Sequence, residues 1–214
     1  MKIKALIAGL FAATLAMPAL ASEPAKTTWS GVWAGIHGGM DNSSSALGLG
    51  PLSLDGLSTN GMGYGISAGV DYQIPGTMLV VGIGGDYTWS DSEFTVNLAG
   101  LGTLFRAGID ESWAVYGRLG LDMGRVMPYI LAGYTEADVS AGIPLIPGAT
   151  AGTTLDGWLV GGGLEMKIAA GIVLGAEYRY SMFDTLTIGG PGGLKLDTDR
   201  HELRATLKYK ANFF

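Results

Sequence analysis

Charged side chains recur at every second position in several stretches of this 214-residue chain, and these residues could support chemistry. Glu165 and Lys167 form one such pair, and Glu177 and Arg179 form another. Carboxylates that face basic groups can form ion pairs with them, or both can line a path for ions. The alternation places these charges on one face: Asp71, Asp86, Arg118, Glu165, Lys167, Glu177, Arg179, Arg204 and Lys208.

The stretch from Trp158 to Tyr180 shows most clearly which element positions these charges. Its first half has Gly161, Gly163, Glu165 and Lys167 on one face, and the other face carries Trp158, Val160, Gly162, Leu164, Met166 and Ile168. After the break at 169–171 the alternation resumes, which predicts a β-hairpin. A face of glycine and full charges cannot be a dry apolar core. It suits the polar lumen of a small transmembrane barrel whose apolar side chains face lipid.

The same alternation predicts eight strands, at about 29–40, 61–73, 79–90, 113–121, 126–137, 158–168, 172–182 and 199–214. The predicted fold is all-β: an eight-stranded antiparallel up-and-down transmembrane barrel. Long loops are expected at 41–60, 91–112, 138–152 and 184–198, with short turns between the other strands. Two points stay open. Alternation at 94–98 and 103–109 allows the third and fourth strands to continue as an extended hairpin, and the fifth strand has apolar residues on both faces.

The first 21 residues have the features of a secretory signal. Lys2 and Lys4 precede an apolar run, and Ala19-Leu20-Ala21 forms a small-x-small cleavage site. The run is too short to span a bilayer as a helix, which needs about 20 residues. We therefore expect a signal peptide at 1–21 that is removed on export through the Sec pathway, a short periplasmic leader at 22–28 and the barrel at 29–214. An even strand number then places both termini in the periplasm and the long loops outside.

Composition excludes several classes of function. The chain has 13 basic and 19 acidic residues, and removal of the two signal-peptide lysines takes the formal charge from −6 to −8. An acidic chain is a poor partner for nucleic acid. The absence of cysteine excludes disulfides and thiolate metal sites. We expect no cofactor.

The sequence gives little support for a catalytic or a phosphate-binding site. His37 and His201 are the only histidines, and neither lies beside an obvious serine nucleophile. We expect His37 to form hydrogen bonds in the lumen and His201 to lie at the rim. The run Gly161-Gly162-Gly163 lacks the strand-turn-helix context and the following Lys-Ser/Thr of a phosphate loop. Glycine here is better explained as relief of crowding in a narrow barrel.

Several motifs of this chain resemble those of one known family. They are Trp29-x-Gly31-x-Trp33-x-Gly35, Tyr116-Gly-Arg118-Leu-Gly120, Pro128-Tyr129, Trp158-x-x-Gly161-x-Gly163-x-Glu165, Ala176-Glu177-Tyr178-Arg179-Tyr180, and His201-x-Leu203-Arg204 followed by Leu207-x-Tyr209. The chain resembles the small eight-stranded outer-membrane barrels of Gram-negative bacteria that comprise opacity-like and porin-family surface antigens. The resemblance spans nearly the whole mature chain, apart from the long loops.

The resemblance implies an outer-membrane location and a role in envelope integrity, surface antigenicity or adhesion. The implied partners are outer-membrane lipid and lipopolysaccharide, the barrel-assembly machinery with periplasmic chaperones, and host or surface ligands of the outer loops. It also implies a C-terminal assembly signal, here Tyr209, Phe213 and Phe214. Members of this family typically end with an aromatic residue in phase with the outward row. This chain departs from that pattern, because the in-phase residue is Phe213 and Phe214 extends one residue beyond it.

The charged face admits two interpretations. An eight-stranded barrel is just wide enough for side chains to fill it, and a buried charge without a partner is costly. We therefore favour a lumen closed by paired charges in a structural barrel over a narrow pore for small solutes or ions, and a lipid-modifying enzyme ranks third. The loop carboxylates Asp55, Asp91, Glu93 and Asp138 could bind divalent cations at the lipopolysaccharide layer, but we favour the simpler interpretation that they are solvated side chains.

Overall fold

The structure, a computed structural model, describes residues 28–49, 52–98, 102–142, 150–184, 186–188 and 194–211. These residues form nine β-strands: β1 (Gly31–Leu49), β2 (Leu52–Gln73), β3 (Leu79–Leu98), β4 (Gly102–Leu121), β5 (Val126–Gly142), β6 (Thr150–Ala169), β7 (Ile172–Phe183), β8 (Leu186–Ile188) and β9 (Leu194–Ala211). In this part of the chain, no helix is long and apolar enough to cross a membrane.

The strands close into a single antiparallel barrel. Each strand from β1 to β7 pairs with the next, β7 pairs with β9, and β9 pairs with β1. The three-residue β8 pairs only with the start of β9 and continues the line of β7, because Leu186 faces Leu196 just beyond the Met182–Asp199 pair. The barrel therefore has eight strands around its circumference, with β7 and β8 counted as one, and the predicted fold class is confirmed.

The two ends of the barrel differ. At one end, the turn end, three short connections join β2 to β3, β4 to β5 and β6 to β7, and the first described residues also lie there. Each connection contains a glycine with a left-handed backbone: Gly76, Gly124 and Gly171 have φ angles of 75°, 82° and 75°. The opposite end, the hairpin end, carries the long hairpins.

The hairpins are more regular than predicted. The described residues of the expected loops at 41–60, 91–112, 138–152 and 184–198 are almost all in strands: β1 runs to Leu49, β3 and β4 pair as far as Leu98 and Gly102, and β9 begins at Leu194. Strands β1 to β6 are 17 to 22 residues long, whereas a tilted strand crosses a bilayer in about 9–11 residues. Backbone pairing continues beyond the apolar band, where neither face needs to be apolar, so side-chain alternation marks most of these extensions poorly. At 94–98 and 103–109 the alternation does continue, and the structure shows the extended hairpin of β3 and β4 that it allowed.

Side-chain exposure settles the faces of the strands. Met127, Tyr129 and Leu131 of β5 point into the lumen and are at most 5% exposed, while Ile130 points outward and is 64% exposed. The fifth strand carries apolar residues on both faces because its inner face contributes to an apolar part of the lumen. That cluster comprises Trp29, Trp33, Val80, Ala114, Tyr116, Met127, Tyr129, Leu131, Leu159 and Val173.

Aromatic side chains border the outward apolar band. Towards the hairpin end, Tyr64 stacks on Trp89, and Tyr134 lies between Trp113 and Trp158 with ring centroids 5.6 and 6.3 Å apart. Towards the turn end, the exposed aromatics Tyr72 and Tyr209 take this position. An apolar band between two aromatic girdles is typical of a barrel in a bilayer.

The outward band predicts a depth-dependent response to charge. Leu164 of β6 is half exposed and lies six residues from both Trp158 and Ala170, near the middle of the band. We expect Leu164→Arg to lower the free energy of unfolding by roughly 2–4 kcal/mol, and Met182→Arg, beside the girdle residue Trp158, by about 0–1 kcal/mol. Urea titrations of folding into lipid vesicles measure both, and equal losses would contradict the assigned depth.

Candidate functional site

Glycines make room for the large side chains of the lumen. The imidazole of His37 occupies the space beside Gly65, where a Cβ would lie 2.6 Å from Nε2. The phenol of Tyr129 fills the space beside Gly163, where a Cβ would lie 2.7 Å from Oη. Real Cβ atoms do not approach so closely, so each bulky residue requires a glycine on the neighbouring strand.

The first group of charges lies towards the turn end. The guanidinium of Arg118 forms a bidentate pair with Asp71, in which Nε lies 2.7 Å from Oδ1, and its Nη1 lies 2.7 Å from Glu165 Oε1. Lys208 Nζ lies 2.6 Å from the same oxygen of Glu165, and Lys210 Nζ contacts Asp71 Oδ2. All five side chains are buried, so these contacts are made away from bulk water.

Aromatic rings surround this group. Arg118 Cζ lies 4.7 Å from the ring centroid of Trp33 and 5.2 Å from that of Tyr129, and Lys208 Nζ lies 4.2 Å from the Trp33 ring. These distances permit cation–π attraction, which strengthens when the cation is desolvated. The aromatic faces therefore solvate cations that have little access to water.

The second group of charges lies nearer the hairpin end. Arg179 bridges two carboxylates, with Nε 2.6 Å from Glu177 Oε1 and Nη2 2.7 Å from Asp86 Oδ2. Arg204 bridges Asp86 and Glu202 at 3.1 and 2.8 Å. The guanidinium of Arg179 also lies over a ring, that of Tyr116.

Arg200 extends the second group towards the hairpin end. Its Nη2 lies 3.1 Å from Glu202 Oε1 and 2.7 Å from Asp41 Oδ2, and its Nη1 donates to Ser112. At the opposite side of the group, the hydroxyl of Tyr129 donates a 2.6 Å hydrogen bond to Glu177 Oε2. Because the ring of Tyr129 also lies beside Arg118, this residue links the two groups. The contacts therefore form one continuous network.

The network is electrically balanced. The buried charged residues among those described are six acids and six bases, namely Asp41, Asp71, Asp86, Glu165, Glu177, Glu202, Arg118, Arg179, Arg200, Arg204, Lys208 and Lys210. Every one of them makes at least one ion pair within 3.1 Å. Opposite charges that pair across the lumen can join strands that are distant in sequence.

The structure brings together eight of the nine charges predicted to share the lumen. Lys167 stands apart at the turn end, where its Nζ donates to the Thr28 carbonyl at 2.7 Å and lies 4.1 Å from the Trp29 ring. The prediction omitted Asp41, Arg200, Glu202 and Lys210. The last three lie on the polar face of the final strand, so strand alternation was a sufficient signal for them. Asp41 was assigned to a loop, where no signal marked its direction.

The other singled-out residues lie as follows. His37 is buried and its Nε2 lies 3.0 Å from Thr88 Oγ1, and His201 is at the outward surface, where its Nδ1 lies 2.7 Å from the Tyr178 hydroxyl. Asp91 accepts a hydrogen bond from the Met62 backbone and Asp138 accepts one from Thr154. No cluster among the described residues has the composition of a metal site. Tyr209 points outward; the side chains of Asp55 and Glu93, and Phe213 and Phe214 altogether, lie outside the described residues.

A closed barrel with an apolar outward band, aromatic girdles and a charged interior defines the class of outer-membrane β-barrels. The family described as "Outer membrane protein beta-barrel domain" matches residues 8–210, and the chain belongs to it. The resemblance predicted from the motifs is thereby confirmed. The protein is an outer-membrane protein, and the apolar band of its outward face lies in lipid.

Individual proteins are similar to the chain at lower identity. The "25 kDa outer-membrane immunogenic protein" of Brucella abortus is 26% identical over 200 residues, which cover 91% of this chain and 84% of the relative. The transport unit of the autotransporter AIDA-I from Escherichia coli is 11% identical with a TM-score of 0.51, covering 95% and 97% of the two chains. The Escherichia coli outer membrane protease OmpT is 8% identical with a TM-score of 0.50, covering 90% and 99%. The two solved structures show the fold alone.

The glycine packing predicts opposite effects at two glycines. Gly163→Ala places a methyl group against Tyr129 Oη and the backbone of β7, so we expect a loss of about 1–3 kcal/mol in the free energy of unfolding. Gly117 points outward with nothing within 4 Å of a Cβ, so Gly117→Ala is expected to be neutral or to gain about 0.5–1 kcal/mol. Vesicle-based urea titration compares the two, and equal effects would show that the lumen is not tightly packed.

The ion-pair network predicts strong coupling between its members. Glu177→Gln keeps the shape of the side chain but leaves Arg179 one partner short, so we expect a loss of roughly 3–5 kcal/mol if the pair is dry. The double variant with Arg179→Gln is expected to lose about 0.5–3 kcal/mol less than the sum of the single variants. As a control, Asp156→Asn neutralises an exposed carboxylate that accepts from Tyr134 and should change stability by less than about 1 kcal/mol. Additive effects at Glu177 and Arg179 would contradict the network.

Proposed function

We propose that this protein is a structural outer-membrane barrel whose lumen is closed by paired charges and whose hairpins serve as its interaction surface. The observation that carries the proposal is the buried set of six acids and six bases, each paired with an opposite charge. A lumen built to conduct ions keeps its charged groups in contact with water, because conduction requires ions to enter and leave. Here the charges bind one another, which supports a lumen that stabilises the barrel and does not conduct.

The hairpin end supplies the surface for interaction. Its strands continue beyond the aromatic girdle, and its outward face carries the exposed carboxylates Asp91, Asp138, Asp156 and Asp184. The Brucella relatives are named as outer-membrane immunogenic proteins, which supports a surface-antigen role for the corresponding hairpins of this chain. Envelope integrity and adhesion are the other roles that such a surface fits, with lipopolysaccharide as its immediate neighbour.

The orientation and assembly follow from the same proposal. The turn end, with both termini, faces the periplasm, and residues 1–21 are removed after Sec-dependent export. Periplasmic chaperones and the barrel-assembly machinery would then recognise the C-terminal residues Tyr209, Phe213 and Phe214. Short turns towards the periplasm and long hairpins towards the outside are the usual arrangement of bacterial outer-membrane barrels, which supports this orientation.

The proposal assigns no catalytic role to the chain. His37 lies inside the closed lumen against Thr88, and His201 packs between Tyr178 and Tyr180 on the outward face, so the two histidines do not share a site. A triad requires a nucleophile, a base and an orienting acid in contact at an accessible position. The likeness to the OmpT protease concerns the fold and carries no catalytic residue over to this chain.

Single-channel recording tests the proposal directly. The purified mature protein in planar lipid bilayers should give no stable conductance steps, and Glu177→Gln should leave the trace unchanged, because the remaining side chains still fill the lumen. Incubation with lipid A followed by mass spectrometry should detect no modified lipid. Discrete channels whose cation preference shifts in Glu177→Gln would overturn the closed barrel in favour of a narrow pore.

A further inference from the structure

Trp29 is completely buried although it precedes the first strand and lies at the rim of the barrel. Trp29 belongs to the same buried cluster as Trp33, so its ring lies against the lumen and does not join the outward girdle. Its indole Nε1 donates to Asp122 Oδ1 at 3.0 Å and to the Gly124 carbonyl at 3.2 Å. A residue that could lie in lipid or solvent is therefore held over the lumen by specific contacts.

The contacts of Trp29 come from distant parts of the rim. The backbone N–H donates to Gln73 of β2 at 2.9 Å, and the indole binds the β4–β5 turn. The ring lies 4.1 Å from Lys167 Nζ of β6 and 5.0 Å from Lys210 Nζ of β9. These partners are brought together only in the closed barrel, so the full set of contacts requires closure.

The neighbours of Trp29 strengthen this arrangement. Lys167 Nζ donates to the Thr28 carbonyl at 2.7 Å, and Ser30 Oγ accepts from the Gln73 backbone at 2.9 Å. Gln73 in turn donates to Asp122 Oδ2 at 2.6 Å, so the two rim residues that hold Trp29 also hold each other. Thr28, Trp29 and Ser30 are thus fastened to the rim at several points.

Beneath Trp29 lies an apolar layer without exposure to solvent. Val80, Met127 and Val173 point into the lumen at the turn end, belong to the same buried cluster as Trp29, and are 1–2% exposed. The charged network begins next to this layer, because Lys210 contacts both the Trp29 ring and Asp71. Water that entered at the turn end would reach Asp71 and Arg118 by this route.

We propose that residues 28–30 form a latch that seals the turn end of the lumen once the barrel has closed, with Trp29 as the sealing residue. The latch keeps the apolar layer dry and thereby protects the ion pairs behind it from solvent. The inference is independent of the proposed surface role, because it concerns access to the lumen from the turn end only.

Cysteine labelling tests the latch, since the chain contains no cysteine of its own. A single Val80→Cys variant, folded in vesicles, is exposed to a water-soluble maleimide with and without Trp29→Ala. Because a buried thiol reacts only when the structure opens locally, we expect Trp29→Ala to raise the labelling rate at least about tenfold. The control is Leu155→Cys, buried towards the hairpin end, whose rate should not change. A mobility shift between unheated and boiled samples on a denaturing gel verifies closure of each barrel.

Two results would overturn the latch. In the first, the labelling rate of Val80→Cys is the same with and without Trp29→Ala. In the second, Trp29→Ala raises the labelling rates of Val80→Cys and Leu155→Cys alike. Should Trp29→Ala fail to close, Asp122→Ala replaces it, because this change keeps the indole ring but removes one of the two acceptors of its N–H and the carboxylate that binds Gln73. Faster labelling of Val80→Cys alone in Asp122→Ala supports the latch, and an unchanged rate overturns it.

Discussion

A charge that points into a narrow barrel has little water around it, so it must find an opposite charge on another strand. Among the residues that the structure describes, the requirement is met by six buried acids and six buried bases, whose charges cancel inside the lumen. The pairs bind strands that are far apart in sequence; Arg118 of β4, for example, holds Asp71 of β2 and Glu165 of β6. The ion pairs thus act as cross-links through the barrel, in addition to the backbone ladder around it.

Packing in the lumen follows from this requirement. Guanidinium and aromatic groups large enough to meet across the barrel need space on the neighbouring strand, and the glycines beside His37 and Tyr129 provide it. Aromatic rings take the place of water around Arg118, Lys208 and Arg179. The outward face is free of these demands and carries the apolar band with its girdles, followed by exposed carboxylates towards the hairpin end. Strand alternation alone therefore separates the inner face, which carries the paired charges, from the outer face, which contacts lipid.

Much of this arrangement could be predicted from the sequence, because strand periodicity assigns each side chain to one face. Eight of the nine predicted lumen charges do meet inside. The face of β5 could not be predicted, since Leu131 lines the lumen and Ile130 faces outward, and both are apolar. The strand lengths at the hairpin end could be predicted only in part: alternation at 94–98 and 103–109 allowed an extended hairpin of β3 and β4, whereas 41–60 shows no sustained alternation. Which charge pairs with which depends on the diameter and stagger of the barrel, and a single sequence does not show these.

Side-chain hydrogen exchange tests most directly whether the lumen is closed and dry. The Nε–H of Arg118 donates to Asp71 and that of Arg179 donates to Glu177, whereas Arg125 is exposed at the turn end. In nuclear magnetic resonance spectra of the folded protein in micelles, we predict that the first two exchange at least about a hundredfold more slowly than Arg125, because they open only by local unfolding. Exchange of all three at similar rates would mean that water fills the lumen, and would contradict the account.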